Sequence, residues 1–131
     1  MFTKEDIQTA ESKIKTGSDF PQFIKELKEL GVVRNDVYVS NGLSAYFASE
    51  DEVLQIHPEE YPELVINTDS SVEKLKHALK SHQAGETGFI SFCEHAADAG
   101  VEKWITDLKN MTCIYYDTAG NELVKETISA V

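Results

Sequence analysis

Cys93-Glu94-His95 sets a thiol and an imidazole two residues apart, the pairing that makes an activated sulfur nucleophile when the ring can take the thiol proton. On a helix, however, residues i and i+2 project about 200° apart. Cys93 therefore falls on the stripe of Phe89 and Phe92 while His95 projects elsewhere, and Cys93 reads as a small buried hydrophobe. The histidines invite a second idea, metal ligation. His77 and His82 lie five apart, roughly 140° around a helix axis, outside the i,i+3 or i,i+4 spacing that two ligands on one helix need. With no HExxH, no paired CxxC and no acidic calcium loop, neither a metal nor another cofactor is expected. Gly85-Glu86-Thr87-Gly88 precedes a helix start whose amides can take an anion, but the loop has Glu86 and no Lys or Arg, so capping explains it. Walker, dinucleotide and Gly-x-Ser-x-Gly patterns are missing.

Recognition chemistry is better represented than catalysis. Between Glu50 and Glu63 lie Glu50, Asp51, Glu52, Glu59, Glu60 and Glu63 with no Lys or Arg among them. Such a run is a solvated face or a docking face for a basic partner. The whole chain carries 23 acidic against 12 basic residues, a formal charge of −11, which repels phosphate backbones and anionic lipid and argues against direct nucleic-acid or membrane binding. Trp104, Tyr115 and Tyr116 lie on adjacent expected strands, and Tyr115 and Tyr116 must point to opposite faces of a sheet. Exposed members of this set, Trp104 and Tyr116, are candidate anchors for a partner, or they cover a sheet edge.

Three readings of function follow. The leading one is a non-enzymatic protein-binding module that uses the acidic run and the aromatic strand surface. In one variant it occupies the basic nucleic-acid groove of another protein by charge imitation. The competing one is a small-ligand carrier or enzyme with a pocket between helices and sheet, drawing on Glu94, His95, Glu102 and Tyr115 from different elements. The third is a structural homodimer joined through exposed strand edges, so the state is monomer or homodimer.

The elements that must position these residues are legible from period and punctuation. Thr3 with Asp6 resembles a capping box opening a first helix, with Ile7, Ala10 and Ile14 inward and an end near Thr16-Gly17. Asp19 is placed to cap a second helix with Phe20, Phe23, Ile24, Leu27 and Leu30 on one face and Gly31 as its left-handed stop. Val32-Val33 and Val37-Tyr38-Val39 read as strand. Ser40-Asn41-Gly42-Leu43 has the Asn-Gly pair of a type I′ hairpin, Leu43 to Ala48 is the return strand and Val53 to Ile56 a third. Residues 57–70, with Pro58, Pro62, Asn67 and Asp69, form a linker in which Leu64-Val65-Ile66 can make a short strand. Ser70 or Ser71 caps a third helix carrying Val72, Leu75 and Leu79. A fourth runs from about Thr87 to Gly100, and strands are expected at Val101 to Leu108, Met111 to Tyr116 and Leu123 to Ile128.

That order is ααβββ, linker, ααβββ, and the halves match in detail. At an offset of 69, Phe20, Phe23, Gly31, Val32, Asn41, Tyr46 and Leu54 recur as Phe89, Phe92, Gly100, Val101, Asn110, Tyr115 and Leu123. Seven identities in 39 ungapped positions exceed the roughly two or three that average composition yields. The expectation is a single α+β domain over 1–131, a two-layer sandwich of helices on antiparallel sheet with an internally doubled ααβββ unit, halves about 1–56 and 71–128. A chain of 131 residues with 41% hydrophobic content supports one core. Two cysteines, Cys93 and Cys113, are too few for a secreted disulfide framework, and no apolar run is long enough to span a membrane. A cytoplasmic protein with reduced thiols is expected.

Gly100-Val101-Glu102-Lys103-Trp104, then Met111-Thr112-Cys113, Tyr115-Tyr116-Asp117 and Gly120-Asn121-Glu122, resemble in order and spacing a domain-of-unknown-function family of small enterobacterial and prophage proteins, often loosely labelled phage envelope protein. The likeness is specific from about Thr87 to Glu126. It implies a small two-layer α/β fold and a bacterial, often prophage, origin; it carries no activity and no catalytic residue. Nothing in the composition looks like a virion coat.

Overall fold

The computed structural model describes residues 1–15 and 17–129. Thr3 opens α1 (Lys4–Glu11) through a reciprocal capping box with Asp6, and Phe2 before the cap and Ile7 within the helix are both buried, as in a hydrophobic staple. The helix ends earlier than its apolar spacing suggests. Lys13 and Ile14 bond back only three residues, to Ala10 and Glu11, and the Asp19 carboxylate accepts from the Lys15 amide. Ile14 is thereby released from the core stripe and is 36% exposed; Thr16, where the end was expected, lies outside the described residues. A short 3-10 turn (Gly17–Asp19) leads into α2 (Phe20–Leu30), which buries Phe23, Ile24 and Leu27 and stops at Gly31 with φ +97°.

The strands β1 (Arg34–Tyr38), β2 (Ser44–Phe47) and β3 (Val53–Ile56) form one meander, and β4 (Val101–Asp107), β5 (Thr112–Asp117) and β6 (Glu122–Thr127) form the other. They join edge to edge through antiparallel β1 and β4 into a single six-stranded open sheet, β3-β2-β1-β4-β5-β6. The helices α3 (Val72–Gln83) and α4 (Phe89–Asp98) complete the expected order, so the fold is an α+β two-layer sandwich. Between the meanders the linker runs without a strand at Leu64–Ile66, contrary to expectation. Its backbone is bonded to loop and helix-end carbonyls instead: Leu64 to Ser40, Asn67 to Ala97 and Ser71 to Ala99.

Strand register repeats the 69-residue offset. Asp36 pairs with Ile105, which is 69 residues on, so the seam between the meanders is centred where a twofold axis would lie. Within the first meander Arg34 pairs with Phe47, and within the second Lys103 pairs with Tyr116, each partner again 69 on. Between β5 and β6 the bulge at Tyr115/Tyr116 breaks the offset: Tyr116 pairs with Glu122 as Phe47 does with Val53, but Tyr115 pairs with Val124, one residue beyond the counterpart of Leu54. The first hairpin is not the type I′ turn that Asn-Gly suggests. That turn needs positive φ at both central residues, whereas of the two only Gly42 has it, and Gly42 bonds back four residues to Tyr38. Pro58 and Tyr61 of the linker occupy the space beside Gly42, leaving no room for a side chain there.

Candidate functional site

Alternation along the strands decides what faces the helices. One cross-sheet row on that side runs Leu54, Tyr46, Asn35, Thr106, Cys113, Glu126, and the next runs Ile56, Ser44, Val37, Trp104, Tyr115, Val124. Over the centre of this surface the helical layer leaves a cavity of about 410 Å³, within the range of ligand pockets. Its apolar wall is symmetric in origin: Phe20 and Phe23 come from α2, Phe89 and Phe92 from α4, at equivalent positions in the two units. Trp104 and Tyr115 supply the floor from β4 and β5, with ring centroids 5.8 Å apart. Phe92 and Phe89 both meet Trp104 edge-on, at 5.5 and 6.3 Å. Ile14 and Phe89 line the cavity yet remain 36% and 46% exposed, which marks its mouth.

Polar groups enter from three directions. Glu11, the last residue of α1, accepts from the Tyr46 hydroxyl at 2.8 Å. Burial and that carboxylate push the Tyr46 phenol far above its ordinary pKa, so it stays a donor. Glu126 lies on the inner row of edge strand β6, and Gln83 Nε2 donates to both its carboxylate oxygens at 3.1 and 3.3 Å. His82, in the last turn of α3, stacks on Phe92 at 4.6 Å and its Nδ1 lies 3.0 Å from the Thr87 carbonyl oxygen. A carbonyl only accepts, so Nδ1 carries the proton and Nε2 of the neutral ring keeps its lone pair. Burial lowers the His82 pKa against the raising effect of the Thr87 bond, keeping the ring neutral near pH 7. Asn35, buried at the centre of the sheet, spends its Nδ2 on the Ala45 carbonyl.

Of the residues the sequence puts forward for a pocket, Tyr115 reaches the cavity wall, whereas Glu94, His95 and Glu102 do not line it. Glu94 and His95 lie on the outer surface of α4, and Glu102 lies near the seam, its carbonyl accepting from the Val39 amide. Trp104 is only 7% exposed and faces the cavity, so it lies between the layers rather than on the outer face. Tyr116 sits half-buried on the other face, with Lys103 Nζ 5.9 Å from its ring. Glu50, Asp51, Glu52, Glu59, Glu60 and Glu63 are all exposed, flanking edge strand β3. Glu11, His82, Gln83 and Glu126 were missed, because nothing local in the chain marks residues contributed by three separate elements.

The thiols do not provide nucleophiles. Cys93 and Cys113 are free and buried, and burial pushes both up to about 11, so they are protonated at neutral pH. Among the described residues no three His, Cys, Asp or Glu side chains gather as a metal-ion site, and no helix is long and apolar enough to cross a membrane.

An open α+β sandwich with an aromatic interlayer cavity is the class of protein these features define. The chain belongs to the family described as "Protein of unknown function (DUF1398)", whose model matches residues 8–127. It is similar to the uncharacterized protein YcgX of Escherichia coli K12, 26% identical over 104 residues, covering 79% of this chain and 77% of that one. A shorter likeness, 46% identical over 39 residues, links it to the uncharacterized proteins Rv2012 of Mycobacterium tuberculosis H37Rv and Mb2035 of Mycobacterium bovis. That segment covers 30% of this chain and 24% of each mycobacterial protein.

Proposed function

We propose that the protein binds a small organic molecule in the interlayer cavity. The observation that carries this reading is the cavity's composition: aromatic rings from both units around about 410 Å³, with an exposed apolar mouth at Ile14 and Phe89. Aromatic walls with a few fixed polar groups are what a drug-sized ligand needs for affinity and orientation. Trp104 is the only tryptophan and lies in the wall, so its emission reports occupancy directly. Titration with a panel of small apolar compounds should shift or quench that emission saturably. Gly88 lines the cavity in ordinary extended backbone with open space beside it, so Gly88→Leu obstructs the site without strain and should abolish the response. A panel that leaves both Trp104 emission and amide chemical shifts around Phe20 and Phe89 unchanged would reject the reading.

A second reading rests on the acidic segment. Its six carboxylates are exposed and take part in none of the three ion pairs among the described residues, so they remain available to a basic protein partner. Association with such a partner should weaken steeply as ionic strength rises; salt-independent affinity would remove it. Two free buried thiols suit a cytoplasmic setting for either role. The repeated register further supports descent from a doubled ααβββ unit, and the cavity then lies where the two copies meet.

A further inference from the structure

Resting on the cavity reading, we infer that the ligand is a protonated amine with an aromatic or aliphatic body. Two carboxylates, Glu11 and Glu126, stand among the lining residues. Glu11 is held by the Tyr46 hydroxyl and Glu126 by the Gln83 amide, so each carboxylate is oriented by a neutral donor and neutralised by no cation. None of the three ion pairs among the described residues involves either one. With its Nδ1 proton committed to the Thr87 carbonyl, His82 offers an acceptor too. The one cation in the lining, Lys15, is exposed at the rim, with its backbone amide bonded to Asp19. A ligand matching this arrangement donates hydrogen bonds and carries positive charge at one end. The faces of Phe20, Phe89, Phe92 and Trp104 attract the same charge and accept the apolar body. A carboxylate ligand would meet two like charges.

Charge-assisted hydrogen bonds to placed carboxylates are stronger than neutral ones, so the charge should be worth about tenfold or more in affinity. The test compares 2-phenylethylammonium, neutral propylbenzene and 3-phenylpropionate, near-isosteric probes, by Trp104 fluorescence and by NMR on the full chain. The ammonium should bind at least about tenfold tighter than propylbenzene, with phenylpropionate weakest. Glu11→Gln and Glu126→Gln should each erase much of that preference; Gln keeps the shape and an acceptor, and folding is checked by unfolding. Equal affinity for ammonium and hydrocarbon, or preference for the carboxylate, overturns the charge assignment but leaves the cavity reading standing. Binding of none of the three probes overturns both.

Discussion

The two halves share one plan and differ in how tightly it is filled. The starts of α2 and α4, the stops at Gly31 and Gly100 and the register of the β1–β2 and β4–β5 pairs coincide at the 69-residue offset, yet side chains at matched positions have diverged in volume and polarity. Leu27 in α2 corresponds to Ala96 in α4, and both are fully buried. Gly31 and Gly100 hold the same left-handed stop, but a side chain on Gly31 would meet open space whereas one on Gly100 would lie 2.6 Å from the Ser70 backbone. At the hairpins Gly42 and Met111 both have positive φ. The linker crowds Gly42, while Met111 packs beside the core at the cost of a strained conformation. On the floor Asn35 corresponds to Trp104. One unit contributes hydrogen bonding there, the other an aromatic plate. A strictly symmetric cavity would have neither the polarity nor the direction that this one has.

Substitutions at matched positions break or sharpen the comparison. Leu27→Ala should cost about 3 kcal/mol by urea unfolding, since it empties a fully buried site; Ala96→Leu, adding the bulk that Leu27 carries, should cost about 1–3 kcal/mol by overpacking. Equal tolerance of Leu at Ala96 would mean the units have the same free volume after all. Next, Gly100→Ala should destabilise by about 2 kcal/mol or more and Gly31→Ala by about 1 kcal/mol, because both pay the left-handed penalty but only one forces the linker aside.

A smaller contrast lies on the open face of the sheet. Arg34 stacks 3.9 Å from the Phe47 ring centroid and forms a two-point bond with buried Asp36, while Lys103, its counterpart, sits 5.9 Å from the ring of Tyr116. Arg34→Ala should therefore cost about 1–2 kcal/mol and Lys103→Ala about 0.5 kcal/mol or less, measured by thermal unfolding.

The least effect concerns pH. His82 has a lowered folded-state pKa, so between that value and the unfolded value near 6.5 the unfolded chain binds more protons. Stability is fully present above about pH 6.5 and falls as pH drops through the window. Thr87 accepts from the ring, Phe92 stacks on it, and Glu11, Glu126 and Lys15 share its cavity. His82→Gln should flatten this part of the pH–stability curve relative to the parent; its first-half counterpart, Lys13, is exposed and paired with Glu26, so Lys13→Gln should leave the slope in place.

Much of the fold is legible in the chain because local chemistry dictates it. The Thr3–Asp6 box, the Phe20–Leu30 stripe and the Gly31 and Gly100 stops each act within one element. The failures came where distant groups intervene. The helix expected through Ile14 is cut short when Asp19 takes the Lys15 amide, and Leu64–Ile66 is drawn to loop carbonyls rather than to a strand. For the site, Phe20, Phe23, Phe89 and Phe92 were visible as core stripes, and only the space between them is new. Expecting Glu94 and His95 to face a pocket fails on helical phase: Phe92, Cys93 and Ala96 take the inward side.

By itself the sequence determined the order of elements, the acidic charge and the apolar stripes of α2 and α4, since these depend on residue types at short spacing. The tertiary structure alone decided that the meanders join at β1 and β4, that the two aromatic stripes stop short of closing over the sheet, and that Glu11, His82 and Glu126 converge there. Convergence across more than a hundred residues is a property of packed layers, set by volumes and register rather than by any neighbouring pair along the chain.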